Sequence, residues 1–371
     1  MVLKELELKN FRLHKNTVLK FSENLNYIIG GNGQGKTTIL EAIYYLCTTK
    51  SLGQSLDKEA VNFEENYFEI KGKFSDKTDN KVKVQYSLEN NKKSTFINDK
   101  YLGKASELIG KFPVVTLVQS DHAITLGSPS ERRKFVDSVI SQSNETYLKF
   151  LIEYNRTLRQ RSSLLSQIKD GYNSVLMDQL EAWTESLIKA GTEIIKHRIK
   201  FCTEFIDYVC LAYEKVMKGR EKPAIEYLFL ENGGDVEKIE EIFREKILLE
   251  RNNELRRTVN LVGPHRDDFL FTINNMELRK YGSQGQHKTF QIALRFGEFF
   301  YIKDKLNKTP VFLMDDVFGE LDTERALKIS EYLNEVGQAF ITMTDFGRLE
   351  SINKRENDLV LRVDKGTVNF V

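Results

Sequence analysis

The chain has 371 residues, of which 40% are hydrophobic and 29% are charged, and its formal net charge is +1. This composition is typical of globular proteins, and the length is sufficient for a large core and two domains. No apolar run approaches the ~20 residues of a membrane helix and no secretory leader begins the chain, so we expect a cytoplasmic protein with no membrane partner.

The first motif is a phosphate-binding loop between a predicted strand and a predicted helix. Residues 25–29 are mostly apolar, and residues 39–46 have apolar side chains at helical spacing. The pattern G-x-x-x-x-G-K-[ST] between them places a lysine against nucleotide phosphates and a hydroxyl on Mg²⁺, beside N–H groups that also attract phosphate. The predicted nucleotide-binding residues of this loop are Gly30, Gly31, Asn32, Gly33, Gln34, Gly35, Lys36, Thr37 and Thr38.

A β-rich segment follows from about residue 57 to residue 100. Apolar and polar residues alternate in residues 68–74 and 81–86, which predicts strands with one buried face, and Asn90-Asn91 predicts a turn. We expect these strands to form the antiparallel part of the domain that holds the nucleotide.

From about residue 130 the apolar period becomes helical. Residues 148–168 mark one helix, residues 170–173 interrupt it, and residues 176–209 mark a returning helix. The pattern predicts a short antiparallel hairpin whose first limb has about 25 residues and spans roughly 38 Å.

Basic residues cluster along this helical part, although the net charge of the chain is no evidence for nucleic-acid binding. A run of charges is commonly a solvated helix face. If several clusters share one face after folding, they would contact the DNA backbone without reading its sequence. The DNA-binding residues predicted on this second hypothesis are Arg132, Arg133, Arg156, Arg159, Lys196 and Arg198.

Residues 281–289 precede a further predicted helix. Ser283 is expected to be its N-cap, and Gly285 permits a close approach of the backbone. A capped helix start without any ligand would have the same sequence.

An apolar strand, residues 310–314, ends in two carboxylates. Ligands of open α/β sheets bind at the carboxyl ends of the strands, which would bring the carboxylates opposite the phosphate loop. Asp315 would then hold Mg²⁺ together with Thr37, and Asp316 would orient or deprotonate the attacking water while Lys36 contacts the phosphates. The alternative is a buried strand that ends in a helix cap.

Together, the phosphate loop, the acidic strand and the segment at Ser283 resemble the ABC-type ATPases. The resemblance implies an α/β fold, namely a P-loop ATPase head with a mixed β-sheet and a mainly helical arm domain. It also implies an ATP-sandwiched dimer in which Ser283, Gly285 and Gln286 of one chain cover the γ-phosphate that the other chain holds. Its cofactors would be ATP and Mg²⁺.

Three further segments match that superfamily in order. Residues 319–322 resemble the D-loop at the dimer interface, and Gln119 resembles the glutamine that senses Mg²⁺ and the attacking water. Arg12 resembles an arginine that DNA-repair relatives place near the nucleotide. We therefore include Gln119 among the catalytic and metal-binding residues and Arg12 among the nucleotide-binding residues.

Two positions depart from the transporter-type members of the superfamily. Asp316 stands where transporters carry glutamate, and residues 339–345 contain no switch histidine. The shorter aspartate predicts an indirect contact with water and slow hydrolysis. Thr342 or Thr344 would bind the γ-phosphate in place of the histidine, unless it is only a hydroxyl at a strand end.

The short arm and two further segments, residues 129–137 and 263–268, are similar to the RecF family of bacterial recombination mediators. The resemblance implies a weak Mg-dependent ATPase that forms an ATP-dependent homodimer. It also implies binding to double-stranded DNA and to gapped or single-stranded DNA, with RecO and RecR as partners in loading RecA. We expect residues 1–118 and 295–371 to form the ATPase head, and residues 119–294 to form the arm and the lobe that carries Ser283.

Three other classes of ATPase share part of this pattern. A transporter-type subunit is disfavoured by the missing switch histidine and the helical insertion. An SMC-type structural ATPase would need a much longer arm, and a nucleotide kinase lacks the segment at Ser283.

Overall fold

The computed structural model describes residues 1–53, 55–171, 173–217, 221–230, 235–320, 322–344 and 355–371. The chain divides into two compact units. Unit 1 comprises Met1–Asp121, Ala212–Gly219 and Ile292–Val371, and unit 2 comprises His122–Leu211 and Arg220–Gln291. The division expected from the sequence, after residues 118 and 294, differs mainly in assigning residues 212–219 to the arm.

Unit 1 contains a six-stranded antiparallel sheet in the order β2-β1-β4-β5-β6-β7. Along each of its central strands, buried apolar residues alternate with partly or fully exposed ones, as the sequence predicts for a sheet with one buried face. Its strands are β1 (Val2–Phe11), β2 (His14–Lys20), β4 (Tyr67–Ser75), β5 (Asp79–Ser87), β6 (Lys92–Ile97) and β7 (Lys100–Tyr101).

A second sheet of unit 1 is mixed, in the order β15-β14-β3-β13-β12-β8. All of its strand pairs are parallel except β14 and β15. Every residue of its central strands β3 and β13 is buried and most are apolar, which is typical of parallel strands covered on both faces. The strands are β3 (Leu25–Ile29), β8 (Val114–Leu117), β12 (Val311–Asp315), β13 (Ala339–Met343), β14 (Leu359–Asp364) and β15 (Thr367–Phe370).

Helix α1 (Lys36–Thr48) lies between the two sheets of unit 1 and contacts β4 and β5 of one and β12 and β13 of the other. Its buried side chains, including Ile39, Ile43 and Leu46, join residues of both sheets in one hydrophobic core. A helix with so little exposed surface holds the residue at its start, Lys36, in a fixed position relative to both sheets.

The predicted helical hairpin is formed by α4 (Glu145–Asp170) and α5 (Ser174–Val216), and it belongs to unit 2 except for the end of α5 from Ala212 onwards. Tyr147 near the start of α4 contacts Arg198, whereas Arg161 further along α4 contacts Thr184, nearer the start of α5. The two helices are therefore antiparallel. The first limb has 26 residues, close to the predicted length.

The rest of unit 2 includes a small sheet that the sequence analysis did not predict. Its order is β11-β10-β9, with antiparallel pairing. The strands are β9 (Pro223–Leu228), β10 (Asp268–Ile273) and β11 (Met276–Glu277). The remaining helices of the chain are α2 (His122–Leu126), α3 (Pro129–Ser143), α6 (Ile239–Arg257), α7 (Leu278–Tyr281), α8 (Gln284–Leu306) and α9 (Thr323–Tyr332).

Candidate functional site

The predicted phosphate loop connects β3 directly to α1, as expected. Gly33 and Gly35 have φ angles of 74° and 105°, a region that favours glycine, and Gly35 is the N-cap of α1. A Cβ atom on Gly30 would lie 2.4 Å from the carbonyl oxygen of Val363, so this position also requires glycine. The loop is therefore shaped by glycines whose conformations other residues rarely adopt.

The ammonium group of Lys36 lies within this loop. Its Nζ donates hydrogen bonds to the carbonyl oxygens of Gly30 and Gly31, both at 2.8 Å. Burial lowers the pKa of Lys36, and the carboxylates of Asp316 and Asp315 oppose that shift. A lysine close to two carboxylates and the loop backbone provides the positive charge that a nucleotide phosphate needs.

Thr37 and Asp315 meet although 278 residues separate them in the chain. The Thr37 hydroxyl lies 2.8 Å and 3.1 Å from the two carboxylate oxygens of Asp315, to which it donates. The contact arises because β3 and β12 are parallel strands on either side of β13, so their carboxyl ends share one edge of the sheet. The structure thus brings together the two residues that were predicted to bind Mg²⁺.

Thr342 has a different environment from the one predicted. Its side chain at the end of β13 is completely buried, and its hydroxyl donates to Oδ1 of Asp315 at 2.7 Å. The Thr342 hydroxyl oxygen in turn accepts a hydrogen bond from the backbone N–H of Asp316 at 2.9 Å. In this structure Thr342 orients both aspartates, and this is a correction to the predicted direct contact with the γ-phosphate.

Asp316 occupies an uncommon backbone conformation, with φ at 50°. Aspartate tolerates this left-handed region better than most residues, and such conformations concentrate at functional sites. A Cβ atom on Gly319 would lie 3.3 Å from Oδ1 of Asp316, so the carboxylate lies against the turn that follows the strand. The bond from Asp316 N–H to Thr342 holds this conformation in place.

Gln119 lies in a 3₁₀ turn, Gln119–Asp121, two residues after the end of β8. Strand β8 is the neighbour of β12, and Leu117 pairs with Met314, so Gln119 and Asp315 leave the sheet at the same edge. Asp121 closes the turn by accepting from Val118 N–H and forms an ion pair with Arg295 of α8. Gln119 is exposed, and its contact with Mg²⁺ stays a prediction.

Arg12 lies in the turn between β1 and β2 and reaches the helix that begins at Lys36. Its guanidinium donates to both carboxylate oxygens of Glu41 on α1, at 2.5 Å and 2.8 Å, and to the hydroxyl of Ser55. The hydrogen bond to Glu41 raises the pKa of Arg12. Glu41, which the sequence analysis missed, therefore ties Arg12 to the phosphate-loop helix; a contact between Arg12 and the nucleotide stays a prediction.

The C-terminal hairpin supports the phosphate loop in a way that no sequence motif indicates. The backbone N–H groups of Lys365 and Gly366, in the turn between β14 and β15, donate to Oε1 and the carbonyl oxygen of Gln34 at 2.6 Å and 3.0 Å. His14 of β2, which is fully buried, donates from Nε2 to the carbonyl oxygen of Gly35 at 3.3 Å. Burial lowers the pKa of His14, which favours a neutral ring. These contacts hold Gln34 and Gly35 from both sides.

Ser283 is the N-cap of α8, as predicted. Its hydroxyl accepts from the N–H of Gln286, and its own N–H donates to Oε1 of Gln286 at 2.8 Å, which is a complete capping box. The side-chain amide of Gln286 also donates to Glu221 at 2.8 Å. Ser283 is exposed at the positive end of a long helix, whereas the side chain of Gln286 serves the cap itself.

The predicted D-loop is described only in part. Gly319 and Glu320 belong to a 3₁₀ turn, Val317–Glu320, and Asp322 caps α9 by accepting from Arg325 N–H at 2.9 Å. Leu321 lies outside the described residues, as does Asp345.

Two of the predicted DNA-binding arginines are buried structural residues, and for them the prediction is wrong. Arg132 is 3% exposed and forms two hydrogen bonds to the carboxylate of Asp268, at 2.7 Å and 2.9 Å. Arg198 is 2% exposed; it pairs with Asp137 at 2.8 Å and donates to the carbonyl oxygen of Pro264 at 2.7 Å. Arg132 thus joins the segment at residues 129–137 to Asp268, and Arg198 joins α5 to both that segment and residues 263–268.

The side chains of the other predicted DNA-binding residues are more exposed to solvent. Arg133 is half-buried and donates to the carbonyl oxygen of Asp267 at 2.6 Å. Arg156 and Arg159 are exposed on α4, and Lys196 is exposed on α5, where it pairs with Glu193 at 3.0 Å. Their contact with DNA stays a prediction.

The structural role of Arg198 is testable. We expect Arg198→Ala to lower the free energy of unfolding by about 3–5 kcal/mol, because it leaves the buried Asp267 and the partly buried Asp137 without their cationic partner. Arg159→Ala, the matched control at an exposed position of α4, should change stability by less than ~0.5 kcal/mol. Denaturant unfolding followed by circular dichroism measures both, and equal midpoints for the two variants would show that Arg198 is not a structural residue.

The described part of the chain contains no helix long and apolar enough to cross a membrane. Within the same residues, no group of three or more histidine, cysteine, aspartate or glutamate side chains is placed to hold a metal ion. A single carboxylate with a hydroxyl, as in Asp315 and Thr37, is instead the kind of pair that binds Mg²⁺ together with substrate phosphates.

Comparisons with known proteins match nearly the whole chain and agree with one another. The family model for the RecF/RecN/SMC N terminal domain matches residues 2–366. The DNA replication and repair protein RecF of Chloroherpeton thalassium is 42% identical over 93% of this chain and 95% of its own length. The RecF protein of Agathobacter rectalis is 36% identical over 100% of this chain and 99% of its own length.

Solved structures agree with these relatives. The structure of the recombination mediator protein RecF-ATP in the RecFOR pathway has a TM-score of 0.90 and 32% identity, and the match covers 100% of this chain and 97% of that chain. The Smc head domain of Pyrococcus furiosus, with a TM-score of 0.57 and 18% identity, shares the fold alone. The predicted fold class, a P-loop ABC-type ATPase head with a mainly helical arm, is thereby confirmed, and the chain belongs to the RecF family of DNA replication and repair proteins.

Proposed function

We propose that this protein is a weak Mg-dependent ATPase whose ATP-bound homodimer binds DNA in recombinational repair. The observation that carries the proposal is the contact between Thr37, at the end of a phosphate loop, and Asp315, held by Thr342. Because those residues lie 278 positions apart in the chain, no local structural requirement explains the pairing.

The residues fit ATP. The loop offers phosphate two kinds of donor, the backbone N–H groups at the start of α1 and the ammonium group of Lys36. There is also open space beside the loop, because a Cβ atom added to Gly33 would meet nothing within 4 Å. The solved relative named RecF-ATP, at 32% identity over the whole chain, supports the same nucleotide. Arg12 lies beside α1, and from that position its side chain would reach the nucleotide.

The same site fits Mg²⁺. Thr37 and Asp315 present a hydroxyl and a carboxylate within hydrogen-bonding distance of one another, and Mg²⁺ prefers oxygen ligands of this kind. When bound, the ion would neutralise charge on the phosphates. Gln119, which leaves the sheet at the same edge, is the further residue we assign to it.

Asp316 is the residue we assign to the attacking water. Its carboxylate would accept a proton from water or orient it, while Lys36 balances the negative charge on the phosphates. Its φ of 50° and the bond from its backbone N–H to Thr342 fix the backbone from which the side chain projects. An aspartate reaches one methylene less far than a glutamate, which is why we expect slow hydrolysis.

Completion of the site would require a second chain. Ser283 is exposed at the positive end of α8, with its conformation fixed by the capping box to Gln286. Such an N-terminus favours a phosphate ligand. We assign Ser283, Gly285 and the backbone of Gln286 to the γ-phosphate of ATP held by the partner chain, so that turnover depends on dimerisation.

DNA binding and the partners follow from the family. The relatives are DNA replication and repair proteins, and the solved neighbours are a recombination mediator of the RecFOR pathway. We therefore propose double-stranded DNA next to single-strand gaps as the ligand, RecO and RecR as partners, and loading of RecA as the result. An SMC-like tether is the second candidate because the Smc head shares the fold, but a first limb of 26 residues spans only about 39 Å.

The test is DNA binding by the purified protein with ATP, with ADP and without nucleotide, at several salt concentrations and on duplex, gapped and single-stranded DNA. We expect the tightest binding with ATP on gapped duplex, and a steep loss of affinity as salt rises, because counterions are released from phosphates. Affinity that does not depend on nucleotide would contradict the proposed coupling between the ATPase site and DNA.

A further inference from the structure

The exposed side of the antiparallel sheet of unit 1, which we call the outer face, carries an excess of positive charge. The opposite side is buried: residues such as Leu6, Ile70 and Val84 join the core around α1. The strand registers place four acidic residues on the outer face, Glu5, Glu7, Glu69 and Asp79. They place seven lysines there, Lys9, Lys20, Lys71, Lys73, Lys81, Lys83 and Lys92.

Two pairs of lysines face each other directly across β4 and β5. Lys73 is opposite Lys81, and Lys71 is opposite Lys83. Like charges in directly opposed positions destabilise a sheet unless other charges compensate them. The whole chain has a net charge of only +1, which makes a local excess of three positive charges a distinctive property of this surface.

The glutamates compensate the lysines of β4 but not those of β5 to the same degree. Lys73 pairs with Glu5 at 2.6 Å, and Lys71 pairs with Glu69 at 2.7 Å. Lys83 instead lies over the ring of Phe96, with Nζ 4.3 Å from the ring centre, and the Asn98 side chain bonds to the backbone N–H of Lys81. Lys81 and Lys83 therefore present their charge outwards, with Lys83 held by an aromatic ring.

We propose that the outer face binds the phosphate backbone of DNA, with Lys81 and Lys83 at the centre of the contact. Lysine is a point charge on a long chain, so it contacts phosphates without reading bases. A row of phosphates would relieve the repulsion within both lysine pairs. This inference rests on the proposed function, since it names the surface through which unit 1 contacts the DNA.

The experiment compares the full-length protein with the double variant Lys81→Gln/Lys83→Gln in ATP, using fluorescence anisotropy of labelled gapped duplex across a salt series. We expect roughly tenfold weaker binding, and a slope of log affinity against log salt that is smaller by about 1.8, since each lost phosphate contact removes ~0.9. The matched control, Lys50→Gln/Lys58→Gln, removes the same charge from exposed lysines of unit 1 outside the outer face and should bind as the unmodified protein does.

Two results would overturn the inference in different ways. If the unmodified protein did not bind DNA in ATP, the proposed function would fail, and the DNA surface with it. If the unmodified protein bound DNA and Lys81→Gln/Lys83→Gln kept its affinity and salt slope, only the assignment of the outer face would fail, and an acidic protein would become the favoured ligand. Binding of a fluorescent ATP analogue, which we expect to be equal in all three proteins, shows that the variants are folded.

Discussion

Asp316→Asn should bind ATP and form the ATP-dependent dimer, yet hydrolyse ATP about 10²–10³ times more slowly than the unmodified protein. Asparagine keeps the shape of the side chain and tolerates the φ of 50° at this position, but its amide does not accept a proton from water. General base catalysis contributes about 10²–10⁴ to enzymatic rates, which sets the expected size of the loss. Single-turnover hydrolysis measures the rate, and size-exclusion chromatography with ATP measures the dimer.

Asp99→Asn is the matched control for this prediction. Asp99 is exposed in the turn between β6 and β7, and its φ is 63°, so the same change is made in the same backbone region but away from the phosphate loop. We expect it to hydrolyse ATP at the native rate. Hydrolysis by Asp316→Asn within threefold of the native rate would rule out Asp316 as the base, and loss of its ATP binding would point instead to damage of the loop.

Ser283→Arg should leave ATP binding by a single chain nearly unchanged and eliminate the ATP-dependent dimer at micromolar protein concentration. Ser283 is exposed at the N-terminus of α8, where the proposed partner chain would place its γ-phosphate. A long side chain at that position would separate the two chains. Because dimerisation completes the site, we expect ATP hydrolysis to fall together with the dimer.

The control for Ser283→Arg is Ser128→Arg. Ser128 is also exposed at the N-cap of a helix in unit 2, at the start of α3, so the same change is made in a comparable position. Its side chain makes no capping hydrogen bond, so only Ser283→Arg carries the cost of a lost cap, about 1 kcal/mol. Light scattering with ATP should detect dimers of Ser128→Arg and monomers of Ser283→Arg. Dimers of equal stability in both variants would show that Ser283 does not face the partner chain.

Local patterns accounted for the elements that the sequence predicted. The alternation in residues 68–74 predicted part of β4, the apolar spacing before and after residues 170–173 predicted α4 and α5, and the glycines predicted the phosphate loop. Each of these patterns lies within a few helical turns or one strand, and over that length the spacing of apolar side chains indicates which face is buried. The small β9–β11 sheet was missed because its strands are short and β9 and β10 lie about 40 residues apart in the chain.

Which charged side chains are buried could not be predicted from the sequence. The local sequence around Arg132 and Arg198 is like that of a solvated or DNA-binding helix face. The carboxylates that pair with them, Asp268 and Asp137, lie 136 and 61 residues away in the chain, so the local sequence does not reveal the pairing. Arginine is rarely buried unless it is paired, so its location depends on a carboxylate elsewhere in the chain. The partner of Arg12, Glu41, could not be identified from the sequence either, because Glu41 belongs to no recognised motif.

Residue types and their spacing were enough to predict a loop suited to phosphate, a strand that ends in two aspartates, a capped helix at Ser283 and a short arm. The contact of Thr37 with Asp315, the orientation of both aspartates by Thr342, and the support of Gln34 by the turn at Lys365 became visible in the folded chain. Residue types and periodicity act over a few neighbouring residues, whereas these contacts join positions 26 to 331 residues apart. Such distances are closed by the order of parallel strands in the sheet, which is a property of packing and not of any one segment.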